Sequence, residues 1–174
     1  LQEYVIGGGG LVAVGGPNAY ENGGYARSSL ASLLPVRVGE ATGGTANLVL
    51  AIDISGSTEG NLSTQKAIAL DVLDQLGDRN RVGVVAFDSR AYRIADLEPL
   101  GNTRQTVAGR IRRLRINPNA PPGGTDIGGG LLGADDLLAD RPGTIILLSD
   151  GLAATPERPV AVADQLGREG HRVF

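Results

Sequence analysis

Asp53, Ser55 and Ser57 set one carboxylate and two hydroxyls within five residues, at the end of an almost wholly apolar run from Asn47 to Ile52. Oxygen donors of this kind suit a hard cation such as Mg2+, which takes oxygen ligands in a tight octahedron and keeps some of its water. The pentapeptide Asp53-Ile54-Ser55-Gly56-Ser57 does not make a site unaided. Two later segments extend the donor set: Gly123-Gly124-Thr125-Asp126 offers a hydroxyl at Thr125, and Leu147-Leu148-Ser149-Asp150-Gly151 offers a carboxylate at Asp150. Each residue also has a plain structural use. Asp53 and the two serines can satisfy turn amides at a strand end, Thr125 can cap the following helix, and Asp150-Gly151 favours a turn.

Residues this far apart meet only if the elements between them bring them together. From residue 41 onward, short apolar runs alternate with amphipathic stretches. Asn47 to Asp53, Arg81 to Phe87 and Thr144 to Ser149 are dense in Val, Leu and Ile, as expected of strands buried on both faces of a parallel sheet. Ala69, Val72, Leu73 and Leu76 follow helical spacing, with Gly77 as the stop. Val107, Ile111 and Leu114 predict a second helix capped by Asn102-Thr103, and Ile127, Leu131, Ala134 and Leu138 a third. Gly128, Gly129 and Gly130 cost that third helix about 1 kcal/mol each relative to alanine, which asks for close packing against a binding loop. Pro156 or Pro159 opens a fourth helix, with Val160, Ala163 and Leu166 inward and Gly170 at its end. Tyr92 to Leu97 adds an antiparallel edge strand, and His171 to Phe174 reads as the first half of a further strand.

Such a series predicts an α/β fold with a doubly wound, mostly parallel sheet flanked by helices. In these sheets ligands bind at the carboxyl ends of the strands, where the strand order reverses. Asp53 and Asp150 both follow strands at that edge. Asp88 and Asp126 do not fit the ligand positions and read as turn or cap residues. Arg104, Arg110, Arg112, Arg113 and Arg115 spread around the exposed face of the second helix, where the last of them complement its dipole.

Composition narrows the function classes. The chain has 174 residues, 41% of them hydrophobic, and a net charge of -3, the profile of one globular domain plus at most part of a second. The acidic balance disfavours a nucleic-acid partner, and with only 3% aromatic residues there are few platforms for stacked bases. Absence of cysteine excludes thiolate nucleophiles and cysteine zinc sites from this chain. No apolar run approaches the roughly 20 residues that span a bilayer, so the expectation is no direct membrane insertion. Starting at Leu1 without any methionine, the chain reads as a piece of a longer protein, and its compartment stays open.

Asp53, Ser55 and Ser57, Thr125 in Gly-Gly-Thr-Asp-Ile-Gly-Gly-Gly-Leu, and Asp150 in Ile-Ile-Leu-Leu-Ser-Asp-Gly together resemble the metal-ion-dependent adhesion site (MIDAS) of von Willebrand factor type A domains. The likeness covers roughly residues 46 to 174. It implies a Rossmann-like fold and a Mg2+ or Mn2+ ion held by Ser55, Ser57 and Thr125, with Asp53 and Asp150 binding its waters or coordinating directly. A sixth position would stay open for the Asp or Glu carboxylate of a protein partner, for adhesion or assembly rather than catalysis. Thr58 stands where bacterial members usually carry Met, with little expected effect on ligation. The chain ends inside the fifth main strand, so residues 41–174 are expected to be a C-terminally truncated domain of this family.

The segment Gly8 to Val36 resembles the end of a glutamine amidotransferase-like domain that precedes a von Willebrand A domain in some bacterial membrane proteins, a likeness covering about residues 1 to 38. Residues 1–40 are therefore expected to be the remnant of such a domain or a linker, and the parent chain to be membrane-anchored. Three other readings are weaker. One is a scaffold of the same fold with an unused metal site. Another is a Mg2+-dependent phosphoester hydrolase, which would need a second acid where Ser55 stands. The last is a hydrolase triad of Ser57, Asp150 and His171, which lacks the G-x-S-x-G elbow and leaves His171, the sole histidine, as a structural residue. A phosphate-binding P-loop fails because no Lys-Ser or Lys-Thr follows the glycines.

Overall fold

The apolar run Asn47–Asp53 forms β1, the middle strand of a five-stranded sheet in a computed structural model that describes residues 45–117, 124–155 and 157–174. The expected remnant over residues 1–40 lies outside those residues, as do Gly123 and Pro156. β1 is parallel to β2 (Arg81–Phe87) on one side and to β4 (Thr144–Leu148) on the other. The antiparallel β3 (Ala91–Pro99) closes one edge and the two-residue β5 (Arg172–Val173) pairs with β4 at the other, giving the order β3-β2-β1-β4-β5. The doubly wound, mostly parallel α/β sheet expected from the sequence is therefore present.

Alternation along β1 explains why its run is continuous. Successive side chains point to opposite faces, so Leu48, Leu50 and Ile52 enter one core cluster while Val49 and Ala51 enter the other. The first cluster packs under α1 (Leu62–Gln75) and α2 (Leu100–Arg113) through Ala69, Leu73, Val107 and Ile111. The second packs under α3 (Ile127–Leu138) and α4 (Glu157–Arg168) through Leu131, Ala134, Leu138 and Leu166. Each fully buried Leu, Ile or Val stabilises the fold by about 1.5–3 kcal/mol relative to exposure. Among the described residues no helix is long and apolar enough to cross a membrane.

Two helix expectations need correction. α2 starts at Leu100, before the Asn102-Thr103 pair. Its first amides are satisfied by backbone: Leu100 N–H donates to Asn80 O (2.8 Å) and Gly101 N–H to Asp78 O (3.0 Å). No side-chain cap is needed, and Thr103 instead donates its hydroxyl to Pro99 O (3.0 Å). In α4, Val160 is 63% exposed, and Val162 joins Leu166 in facing the sheet. The i,i+4 pair Val162 and Leu166 sets the buried stripe. Pro159 sits in the first turn, where its missing N–H has no intrahelical partner to lose.

Candidate metal centre

β1 delivers Asp53 to the carboxyl edge of the sheet in a fully buried position. There its carboxylate joins two strand ends. Oδ1 accepts the N–H of Ser55 (2.9 Å), and Oδ2 accepts the hydroxyl of Ser149 (2.7 Å), a residue 96 positions away at the end of β4. The chain then makes a 3-10 turn over Gly56–Thr58, held by the hydroxyl of Thr58 donating to Ser55 O (2.8 Å). This turn sets the Ser55 and Ser57 hydroxyls 3.0 Å apart, with Ser55 buried and Ser57 exposed. Thr58 thus has a local job in shaping the loop.

Gln65 of α1 braces the same edge from below. With its amide nitrogen turned to the strand ends, it donates to Asp53 O (3.0 Å) and Leu148 O (3.2 Å). β1 and β4 are thereby tied at the point where the strand order reverses, the place where ligands bind in open α/β sheets.

Thr125 reaches this edge from the loop before α3. The loop is pinned on both sides: Asp126 N–H donates to Asp88 O (2.8 Å), and Ala154 N–H donates to Thr125 O (3.0 Å). The helix cap is Asp126 rather than Thr125, since Asp126 Oδ1 accepts Gly129 N–H (2.8 Å) while its Oδ2 pairs with Arg158 (2.9 Å). The Thr125 hydroxyl is left out of the capping. The glycine run has the reason that its cost demanded: a Cβ on Gly130 would lie 2.6 Å from the Phe87 ring, and one on Gly129 2.6 Å from Asp126 Oδ2. α3 can therefore start hard against the β2 end and the Thr125 loop.

Asp150 is half-buried, and its Oδ1 accepts Leu152 N–H (3.0 Å) in a local turn completed by Gly151 at φ +79°. The turn reading of Asp150 is thus realised, and its Oδ2 makes no hydrogen bond among the described residues. Hydrogen bonds link Asp53, Ser55, Ser57 and Ser149 directly; the Thr125 and Asp150 loops are brought to the same sheet edge by backbone contacts and by chain adjacency to Ser149. His171 lies elsewhere: Arg172 pairs with Thr144 at the start of β4, the opposite edge. Ser57, Asp150 and His171 do not form a triad.

Asp88 is more than a turn residue. It is buried, and four donors converge on its carboxylate: Arg90 N–H (3.0 Å), Tyr92 Oη (3.1 Å), Asn117 Nδ2 (3.0 Å) and Ser89 Oγ (3.3 Å). Burial alone raises its pKa, but the hydrogen bonds from Asn117, Arg90, Tyr92 and Ser89 outweigh burial and hold it below the usual carboxylate value. A carboxyl depressed in the folded state stabilises above its unfolded pKa and loses that contribution as pH falls through the folded value. Stability should therefore decline below about pH 4. Asp88→Asn, which turns an NH2 toward donors, should cost about 1–3 kcal/mol in urea unfolding at pH 7 and flatten part of that acid decline.

The donors at the Asp53 edge are all oxygens, hydroxyl or carboxylate, which fits a hard divalent cation and not a soft one. Asp126 is balanced by Arg158 and Asp88 by its donors, whereas the hydrogen bonds of Asp53 and Asp150 are fewer. Sequence reasoning missed Ser149 and Gln65. Ser149 was within reach, as it precedes Asp150 in the same loop.

Comparison with known proteins bears on the family and the fold. A model of the von Willebrand factor type A domain matches residues 48–152. The uncharacterized protein sll0103 of Synechocystis sp. is 38% identical over 110 residues, 60% of this chain and 25% of that protein. Among solved structures, the conserved hypothetical protein BatB of Bacteroides thetaiotaomicron superposes with a TM-score of 0.62 at 20% identity, covering 75% of this chain and 64% of that one. Proximal thread matrix protein 1 of the mussel byssus, solved with zinc in its MIDAS motif, gives 0.60 at 21% identity over 75% of this chain and 37% of its own. The vWF domain of the type V pili tip protein Mfa5 from Porphyromonas gingivalis gives 0.53 at 24% identity, over 63% and 38%. The chain thus spans a quarter of the length of the curated relative it matches.

Proposed function

The chain belongs to the von Willebrand factor type A domain family, and from that premise we propose that it is a non-enzymatic, metal-dependent protein-binding module. Ser55, Ser57 and Thr125 would hold a Mg2+ or Mn2+ ion, and Asp53 and Asp150 would bind its waters or coordinate it. When bound, the ion supplies a positive centre with an open position for the Asp or Glu carboxylate of a protein partner.

The observation that carries this reading is the Asp53 carboxylate, fully buried yet fixed by two donors among the described residues, the Ser55 N–H and the Ser149 hydroxyl. A carboxylate has about four lone-pair directions, so acceptor capacity remains beside the Ser55 and Ser57 hydroxyls. Neutral hydroxyls leave most of a divalent charge uncompensated. An incoming carboxylate then meets a strong local field, whereas a site built from three or four acids would repel it. Two structural neighbours, a byssus matrix protein and a pilus tip protein, accord with adhesion or assembly.

The hydrogen bonds within the loop also fit a scaffold whose metal site is unused, and one pair of variants separates the two. Thr125→Val removes a hydroxyl that takes no part in the α3 cap, and Thr125→Ser keeps it. Measured on arrays of immobilised Asp- and Glu-containing peptides with and without EDTA, wild type and Thr125→Ser should bind in Mg2+. Thr125→Val should bind at least about tenfold more weakly, a difference of about 1.4 kcal/mol. Equal capture by all three, or capture unaffected by EDTA, contradicts the proposal.

A further inference from the structure

At the opposite edge of the sheet, Asp135, Glu169 and His171 bring one ligand atom each to within 4.8 Å of one another. Asp135 lies in the last turn of α3, Glu169 directly follows α4, and His171 directly precedes β5. The cluster lines a cavity of about 380 Å3 together with Ala139, Asp140 and Pro142. It is remote from Asp53: α3 starts beside the Thr125 loop, and at 1.5 Å per residue the rise from Ile127 to Asp135 is about 12 Å.

We infer that Asp135, Glu169 and His171 form a second cation site, for a borderline divalent ion of the Zn2+ class. The donor set is one imidazole and two carboxylates, the mixture that Zn2+ accepts and that differs from the all-oxygen set around Asp53. His171 Nε2 and Asp135 Oδ1 are 3.1 Å apart. Two ligands each about 2.0–2.1 Å from a tetrahedral zinc lie roughly 3.3 Å from one another, so this pair already spans one edge of such a site. The C-terminal ends of α3 and α4 both meet here, and their carbonyl ends favour positive charge.

The imidazole itself is the second, independent sign. His171 is 8% exposed, and its buried Nδ1 has no partner among the described residues. Nε2 is the ring nitrogen that faces Asp135, and it is the atom that would meet the ion. Glu169 Oε1 accepts from Gln165 (3.0 Å), leaving Oε2 for coordination and the outer face of the site open to water.

Because His171 is the sole histidine, its ring nitrogens give an unobstructed NMR signal. The test uses the full chain carrying Asp53→Ala, which disables the other site, with Zn2+ as the probe. We expect saturable uptake near one equivalent that moves the His171 Nε2 resonance. Glu169→Ala, at an exposed position where folding is not at stake, should weaken uptake at least tenfold. Unchanged ring resonances in excess Zn2+, or a Glu169→Ala affinity within twofold of its parent, would overturn the inference.

Discussion

Asp53→Ala should lose divalent-metal uptake by at least about 10–100-fold, the range seen when a ligand or the group that orients one is removed. The expected size follows from position. Asp53 is buried, and its carboxylate ties the ends of β1 and β4. Its loss removes one of the two charges proposed to serve the ion and frees the Ser55 N–H and the Ser149 hydroxyl. The same change should cost about 1–3 kcal/mol of stability, because the stranded donors are desolvated. Calorimetric Mn2+ titration, with circular dichroism to show that both proteins are folded, separates the two effects. Asp53→Asn keeps one carbonyl acceptor and should retain more stability than alanine while still losing uptake. Unimpaired Mn2+ binding by folded Asp53→Ala would remove Asp53 from the site.

Phe87→Ala should be the most damaging core substitution, at about 3–5 kcal/mol, lowering Tm by roughly 10 °C or more. Phe87 is the largest fully buried side chain among the described residues, and its ring packs against the backbone of α3 at Gly130. Its carbonyl also accepts Ile54 N–H (2.8 Å), which steadies the start of the Asp53 loop. Removing the ring opens a void beneath the first turn of α3, the turn that follows Thr125. The converse change, Gly130→Ala, places a methyl 2.6 Å from the ring and should cost about 1–3 kcal/mol through overpacking. Thermal unfolding of both variants checks the pair. A Tm within 2 °C of wild type for Phe87→Ala would show that the contact is not what holds α3 in place.

Much of the fold was legible in the sequence because parallel strands covered on both faces must read as unbroken apolar runs. Asn47 to Asp53 and Arg81 to Phe87 match β1 and β2 to the residue, and the run from Thr144 overshoots β4 only at Ser149. The first element of the candidate site was legible for a similar reason: two-residue spacing at a strand end throws Asp53, Ser55 and Ser57 into one short loop. What sequence could not give was partnership over distance. Ser149 matters because it bonds a residue 96 positions earlier, and Asp88 gathers Asn117 from 29 positions later. Gln65 braces two strand ends that only the folded sheet sets side by side. The start of α2 was misplaced because its cap is backbone from the Asp78–Asn80 loop, which leaves no signature in residue type.

The most direct test of the proposed centre is a crystal of the chain grown in excess Mn2+, with anomalous diffraction collected at the manganese edge. The account predicts one strong peak bonded by the hydroxyl oxygens of Ser55, Ser57 and Thr125, with Asp53 and Asp150 at bonding distance or one water away. No peak at that edge of the sheet, in a crystal where the loops are ordered and free of lattice contacts, would contradict it.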